Sequence, residues 1–347
     1  MSIEMDGTIR QNLRMREPMS ATAFASGIDS PPPTASQALL SPAFGRRFVI
    51  FADTEEEFDW DRPLRREAVS TTAIASLPKA TRRLNNRGVV PTYLLDYPVV
   101  DQERSAATVR QMVEDGSCTF GAHLHPWVNP PYDEIVSGLN SFAGNLPIAL
   151  EREKLCILTE RIAETMGGRA LVYRAGRYGV GPNTAALLLE LGYHMDVSVR
   201  ALFDYSKQGG PDFAQHPITP YWLTAALLEV PLTAGFIGRL RRWPGLSGMR
   251  LLRGPMAACG MLGRVPLTPE GTPLCEALTL IRHLLDADVR LFSLSFHTPS
   301  VEPGHTPYVR DQADLKLFWA WWDGVLDLFA RENVLPAGPA DILAAAR

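Results

Sequence analysis

Apolar residues in this chain come in short continuous runs that alternate with segments of helical period. The first run, Phe48-Val49-Ile50-Phe51, ends on Asp53. A run apolar at every position suits a strand buried on both faces, as in a parallel sheet covered by helices. Residues 71–87 then read as a helix stopped by Gly88, and residues 89–95 as a second strand. The cycle repeats. Residues 105–115 predict a helix closed by Gly116, and 118–122 a strand running into His123. After a loop rich in Pro and Asn, residues 151–166 place Leu155, Leu158 and Ile162 at helical spacing, and 170–173 form a strand that delivers Arg174. A helix over 183–191 and a strand over 193–195 deliver Asp196. A helix over 268–286, a strand over 290–296 arriving at His297, and a long helix over 311–329 complete the pattern. Strands and helices alternating in this way predict about six or seven right-handed βαβ units around a parallel sheet, either closed into a barrel or open and doubly wound.

Composition narrows this picture. At 347 residues, with 46% hydrophobic and 21% charged residues, the chain suits one large α/β domain, placed here at 46–347. The net charge of −4 supplies no global attraction to nucleic acid. Residues 1–45 carry Pro31-Pro32-Pro33 and no apolar leader core, so they are expected to form a disordered tail on a cytoplasmic protein. Cys118, Cys156, Cys259 and Cys275 form no C-x-x-C pair and read as buried thiols in a reducing compartment. A stretch at 230–269 holds six arginines, Arg239, Arg241, Arg242, Arg250, Arg253 and Arg264, and no acidic residue. This basic insertion reads either as a solvated cover or dimer contact, or as an amphipathic element for peripheral binding to an anionic membrane.

Reactive side chains fall at strand ends. Asp53, His123, Arg174, Asp196 and His297 each sit at or just past the C-terminal end of a predicted strand, the face on which α/β barrels assemble their sites. His123 and His125 are one residue apart, so on extended backbone both imidazoles leave the same face and can meet one ion. The acidic run Asp53-Thr54-Glu55-Glu56-Glu57 follows a buried strand directly. One of its carboxylates together with the two imidazoles makes a three-ligand site with a position left for water, the pattern of catalytic zinc. A second carboxylate then serves as general base.

Five motifs in this order, Asp53-Thr-Glu-Glu-Glu-Phe-Asp-Trp60, Gly121-Ala-His-Leu-His-Pro-Trp127, Tyr173-Arg-Ala-Gly-Arg-Tyr-Gly179, Gly192-Tyr-His-Met-Asp-Val-Ser-Val199 and Ser295-Phe-His-Thr-Pro-Ser300, resemble the polysaccharide deacetylase (NodB-homology, carbohydrate esterase 4-like) family. The likeness is closest to its WalW-like branch, associated with lipopolysaccharide biosynthesis. The resemblance implies a distorted (β/α)7 barrel that removes an acetyl group from a sugar, with a divalent metal, zinc by preference, as cofactor. It implies Asp53 as base, Glu55, His123 and His125 as metal ligands, Arg174 as the arginine that orients the base, His297 as the catalytic acid and Asp196 as the residue that tunes it. The implied partner is a glycan, or a lipid-linked or nucleotide-linked sugar. Two features depart from the family pattern. Thr54 separates Asp53 from the next acid, which keeps Glu56 open as a ligand, and a single residue separates the histidines where the family has three or four. Two alternatives stand beside this reading: another H-x-H metallohydrolase barrel of amidohydrolase or phosphoesterase type, and a non-catalytic glycan-binding barrel.

Overall fold

The computed structural model describes residues 27–58, 62–241 and 261–347. Its strands are β1 (Arg47–Thr54), β2 (Thr92–Leu95), β3 (Thr119–Leu124), β4 (Val172–Ala175), β5 (Met195–Asp196), β6 (Tyr221–Thr224), β7 (Leu227–Glu229), β8 (Ala234–Ile237), β9 (Gly263–Pro266), β10 (Leu291–His297) and β11 (Leu335–Pro336). The main sheet runs β10-β1-β2-β3-β4-β5-β7-β6, with β11 also paired to β1, and β8 and β9 form a separate hairpin. Seven strands of the main path, β1 to β5, β7 and β10, are parallel; β6 returns antiparallel beside β7.

The sheet curls into a distorted barrel, as the alternating pattern predicts. Among the described residues no ladder joins β7 to β10. Instead Leu232 N donates to Val199 O at 2.9 Å, Thr233 N to Ser293 O at 3.0 Å, Leu267 N to Thr233 O at 2.9 Å and Ser295 N to Leu267 O at 3.2 Å, so two short stretches of chain fill the gap. Around the sheet lie α1 (Leu77–Asn85), α2 (Tyr97–Asp101), α3 (Glu103–Glu114), α4 (Ile148–Met166), α5 (Thr184–Glu190), α6 (Leu274–Asp286) and α7 (Gln312–Arg331), while α8 (Pro339–Ala345) closes the chain.

The continuous apolar runs are explained by burial on both faces. Along β1, Phe48, Ile50 and Ala52 join the outer core against the helices, while Val49 and Phe51 join Leu94, Val172, Met195, Leu228 and Leu291 inside the barrel. A shift of one position in any strand exchanges these two faces. Buried Lys154 ties down the loop after β3, donating to the carbonyls of Pro126, Asn129 and Pro131 and pairing with Glu134 at 2.9 Å.

Four sequence expectations need correction or restriction. Order begins well before residue 46: Ile28 is fully buried, and Ala38 and Phe44 plug the lower end of the barrel beside Ile342 and Ala345 of α8. Arg290 fixes this segment by donating to Leu40 O at 2.9 Å and Ser41 O at 2.8 Å. Residues 1–26 lie outside the described residues. The helix expected from residue 268 starts at Leu274, because Pro273 and the left-handed Gly271 (φ 77°) break it. Cys118 is buried as expected, but Cys275 is exposed and Cys156 half-buried, and Cys259 lies outside the described residues. The centre of the basic insertion, 242–260, is likewise outside them; its flanks form the β8–β9 hairpin, where Arg264 donates to Leu202 O and covers the Phe203 ring. No helix among the described residues is long and apolar enough to cross a membrane.

Candidate active site

Strand register brings the reactive residues together. Asp53 on β1 lies beside His297 on β10, and His123 on β3 lies beside Arg174 on β4. Each shares the inward parity of Phe51 or Val172, so all four side chains reach the C-terminal mouth of the barrel.

Beyond β1, Glu55 turns toward both histidines. One carboxylate oxygen, Oε2, lies 3.3 Å from His123 Nε2 and 3.4 Å from His125 Nε2, and all three side chains are buried. Ligand bonds of about 2.0–2.2 Å arranged tetrahedrally put neighbouring ligand atoms about 3.3–3.5 Å apart, which these contacts match. The opposite ring nitrogens are occupied: His123 Nδ1 by the carbonyl of Arg174 at 3.2 Å, His125 Nδ1 by Glu56 Oε2 at 2.8 Å. A proton held at each Nδ1 leaves the Nε2 lone pairs facing Glu55. Burial pushes His123 down to about 3 and His125 to about 4, keeping both neutral. Burial and then the charges of Asp53 and Glu56 push Glu55 well above the usual carboxylate range. Two neutral imidazoles and one buried carboxyl group therefore form a group that fits a divalent metal.

Glu56, the reserve ligand of the sequence reading, instead orients His125. Its Oε1 accepts from Trp127 Nε1 at 2.9 Å, and its backbone N–H donates to Asp96 at 2.7 Å. Asp96 hydrogen-bonds the Glu56 side chain as well, and burial followed by that contact raises Asp96 well above its usual value. The sequence reading missed Asp96, although it directly follows the predicted second strand.

Asp53 and Arg174 form a buried pair. Arg174 Nη1 donates to Asp53 Oδ1 at 2.6 Å and to Ser295 Oγ at 2.8 Å, and Nε donates to Val197 O at 2.9 Å. Burial alone would raise Asp53, but Arg174, His123 and His297 together hold it below the usual carboxylate value. The other carboxylate oxygen of Asp53 lies 3.7 Å from His297 Nε2. His297 Nδ1 is held by Glu270 Oε2 at 2.6 Å, and Glu270 Oε1 accepts from the His297 backbone N–H at 3.1 Å and from Ser300 Oγ at 2.6 Å. Burial presses His297 down, but the charge and hydrogen bond of Glu270 and then the charge of Asp53 together lift the imidazole above its ordinary value.

The partner of His297 is thus Glu270, and the assignment of that place to Asp196 is corrected. Asp196 pairs in register with Tyr173 and Glu229, one position out of phase with inward-facing Arg174. Its carboxylate accepts from Ser198 Oγ at 2.6 Å and hydrogen-bonds Glu229, which burial and the Asp196 charge push well above the usual range. Asp196 belongs to a buried carboxyl pair on the outer face of the sheet.

These residues open onto a cavity of about 520 Å³, lined by Asp53, Glu55, His123, His125, Glu270 and His297 among others. His125 packs closely against the backbone at Gly176, where a Cβ would overlap Cδ2 of His125 and lie 2.6 Å from the Leu124 carbonyl oxygen. Gly176→Ala is therefore expected to displace His125 and weaken zinc binding by about tenfold or more, read by competition with a chromogenic chelator. Unchanged affinity would show that His125 can move without consequence for the site.

The sequence matches no protein-family model and no curated protein. Among solved structures, a Mycobacterium smegmatis protein with a provisional polysaccharide deacetylase assignment superposes with a TM-score of 0.47 at 16% identity over 89% of this chain and 97% of its own. A Pseudomonas aeruginosa PAO1 protein with a similar provisional assignment gives 0.49 at 16% over 87% and 91%. A carbohydrate esterase 4 family pseudoenzyme from Bacillus anthracis gives 0.39 at 9% over 86% and 66%. Superpositions this loose assign neither family nor activity, so the functional reading rests on this chain's own residues.

Proposed function

We propose that this chain is a metal-dependent hydrolase that removes an acetyl group from a sugar, and that it serves the synthesis of cell-surface polysaccharide or lipopolysaccharide. One observation carries the chemistry: beside the Glu55-His123-His125 group, a carboxylate drawn below its usual value and an imidazole lifted above its own face one cavity. Environments that drive two neighbouring groups apart in this way assign the base and the acid. The sugar assignment rests on the ordered motif set.

Glu55, His123 and His125 would hold the ion, zinc by preference for its imidazole and carboxylate ligands. When bound, such an ion supplies Lewis acidity toward an acyl oxygen and toward water. Asp53 then takes the proton of the attacking water at Oδ2, while Arg174 keeps Oδ1 occupied and the carboxylate ionised. His297 presents Nε2 to the cavity, and the Glu270 carboxylate at Nδ1 favours the imidazolium form, whose Nε2 proton goes to the departing nitrogen or oxygen. The surrounding burial excludes bulk water and strengthens each of these interactions.

Acetate release from a panel of N- and O-acetylated sugars tests the reading. Zinc-loaded protein is expected to release acetate, and chelator-treated protein or His123→Ala to release none. Release that persists unchanged after chelation, or no release from any sugar by zinc-loaded protein, would refute it.

A further inference from the structure

The cavity holds more positive charge than the proposed chemistry uses. Arg174 is matched by Asp53 and His297 by Glu270, and a cation bound by Glu55 would have that carboxylate for itself. Beyond these, Arg62, Arg177 and Arg200 also line the cavity, and among the described residues no carboxylate pairs with either of the last two. Arg177 donates to the carbonyl of Gly138, to Ser141 Oγ and, at 2.9 Å, to Gln208 Oε1, all neutral acceptors. Its backbone is left-handed (φ 53°), as is that of Tyr178 (φ 60°), a conformation strained for a non-glycine residue, and it turns this loop along the cavity wall. Burial lowers Arg177 from its ordinary value, with only Tyr205 opposing.

Arg200 is held by aromatic rings. Its guanidinium lies 4.1 Å from the centre of Phe203 and 5.4 Å from that of Tyr178, and Nη1 donates to Tyr205 Oη at 3.1 Å. Its Nε is buried with no hydrogen-bond partner. A guanidinium oriented by stacking, with donors left over and no anion beside it, is prepared for a planar or tetrahedral oxyanion. Neutral sugar hydroxyls do not need two such cations, and holding them without a counterion costs desolvation energy.

We propose that the substrate carries an anionic group, a phosphate or a carboxylate, and that Arg177 and Arg200 clamp it in the same cavity as the acetyl-removing residues. The proposal rests on the hydrolase reading for the neighbouring acetyl group, but anion recognition itself does not depend on turnover. The two sources share one chemistry: charge-assisted hydrogen bonds to oxygens borne on the sugar or on its carrier.

Calorimetric binding to the full chain, zinc-free and zinc-loaded, tests it with three probes: N-acetylglucosamine, its 1-phosphate and its 6-carboxylate. At least one anionic probe is expected to bind about tenfold or more tightly than the neutral sugar. Tight binding of the phosphate alone, the carboxylate alone or both identifies the source. Arg177→Gln and Arg200→Gln are each expected to abolish the preference, scored against the same variant's affinity for the neutral sugar, and Arg200→Lys to keep part of it. Equal affinities, no binding of either anionic probe, or a preference that survives both Gln substitutions would overturn the clamp. Acetate release is scored separately: failed hydrolysis with an intact anion preference sinks the deacetylase reading alone, and hydrolysis without the preference sinks the clamp alone.

Discussion

Asp53→Asn is expected to lower kcat for acetate release by about a thousandfold while leaving zinc affinity nearly unchanged. The amide has the shape of the carboxylate and can still accept from Arg174 Nη1 through its oxygen, so the 2.6 Å contact has a successor. It cannot take a proton from water, and it leaves the buried guanidinium without a charge partner. Displacement of Arg174 would add to the loss, and Ser295 Oγ and the Val197 carbonyl oppose it by accepting from Nη1 and Nε. Thermal unfolding separates the two effects, because loss of the base alone leaves the midpoint close to wild type. A fall in kcat of less than about tenfold would place the base elsewhere.

Glu270→Gln is expected to reduce kcat/KM at neutral pH by about a hundredfold and to move the alkaline limb of the pH profile toward lower pH. The sign follows from the forces on His297. Burial lowers its pKa, and Glu270 supplies the largest opposing contribution, so in the wild type the imidazole stays protonated above the ordinary imidazole range. An acid must be protonated to act, so activity is lost as pH rises through that elevated value. With the charge of Glu270 removed, burial prevails and the proton leaves at lower pH. The amide oxygen of the substituted side chain can still accept at Nδ1 and keep the ring oriented, so rescue of activity on acidification distinguishes a tuning role from a purely structural one. A profile whose alkaline limb does not move would contradict the assignment.

The fold and most of the site were legible because strand ends are legible. Apolar runs ending in Asp53, His123, Arg174 and His297 placed these residues at one mouth, and register along β1, β3, β4 and β10 then set them side by side. What sequence could not supply was phase and interruption. Asp196 ends a strand of two residues, too short for its pattern to reveal which face the side chain takes, and it lies opposite the pocket. Glu270 was hidden because 268–286 reads as one helical run, whereas Gly271 and Pro273 end the loop that carries Glu270 to His297. The choice between Glu55 and Glu56 depends on side-chain direction beyond the strand: Glu55 meets both Nε2 atoms, Glu56 the far side of His125. The order of residues 28–45 was missed for a similar reason, since scattered single residues such as Ile28 and Phe44 become core only once the barrel end and α8 exist to receive them.

The central claim is that Glu55, His123 and His125 form a site for a divalent metal, and the direct test is zinc stoichiometry of the full chain after reconstitution and desalting, beside Glu55→Gln, His123→Ala and His125→Ala. The wild type is expected to retain one equivalent and each variant well under half, with Glu56→Gln weakened rather than emptied because it acts through His125. A wild type that retains no zinc, or variants that retain as much as the wild type, would contradict the account.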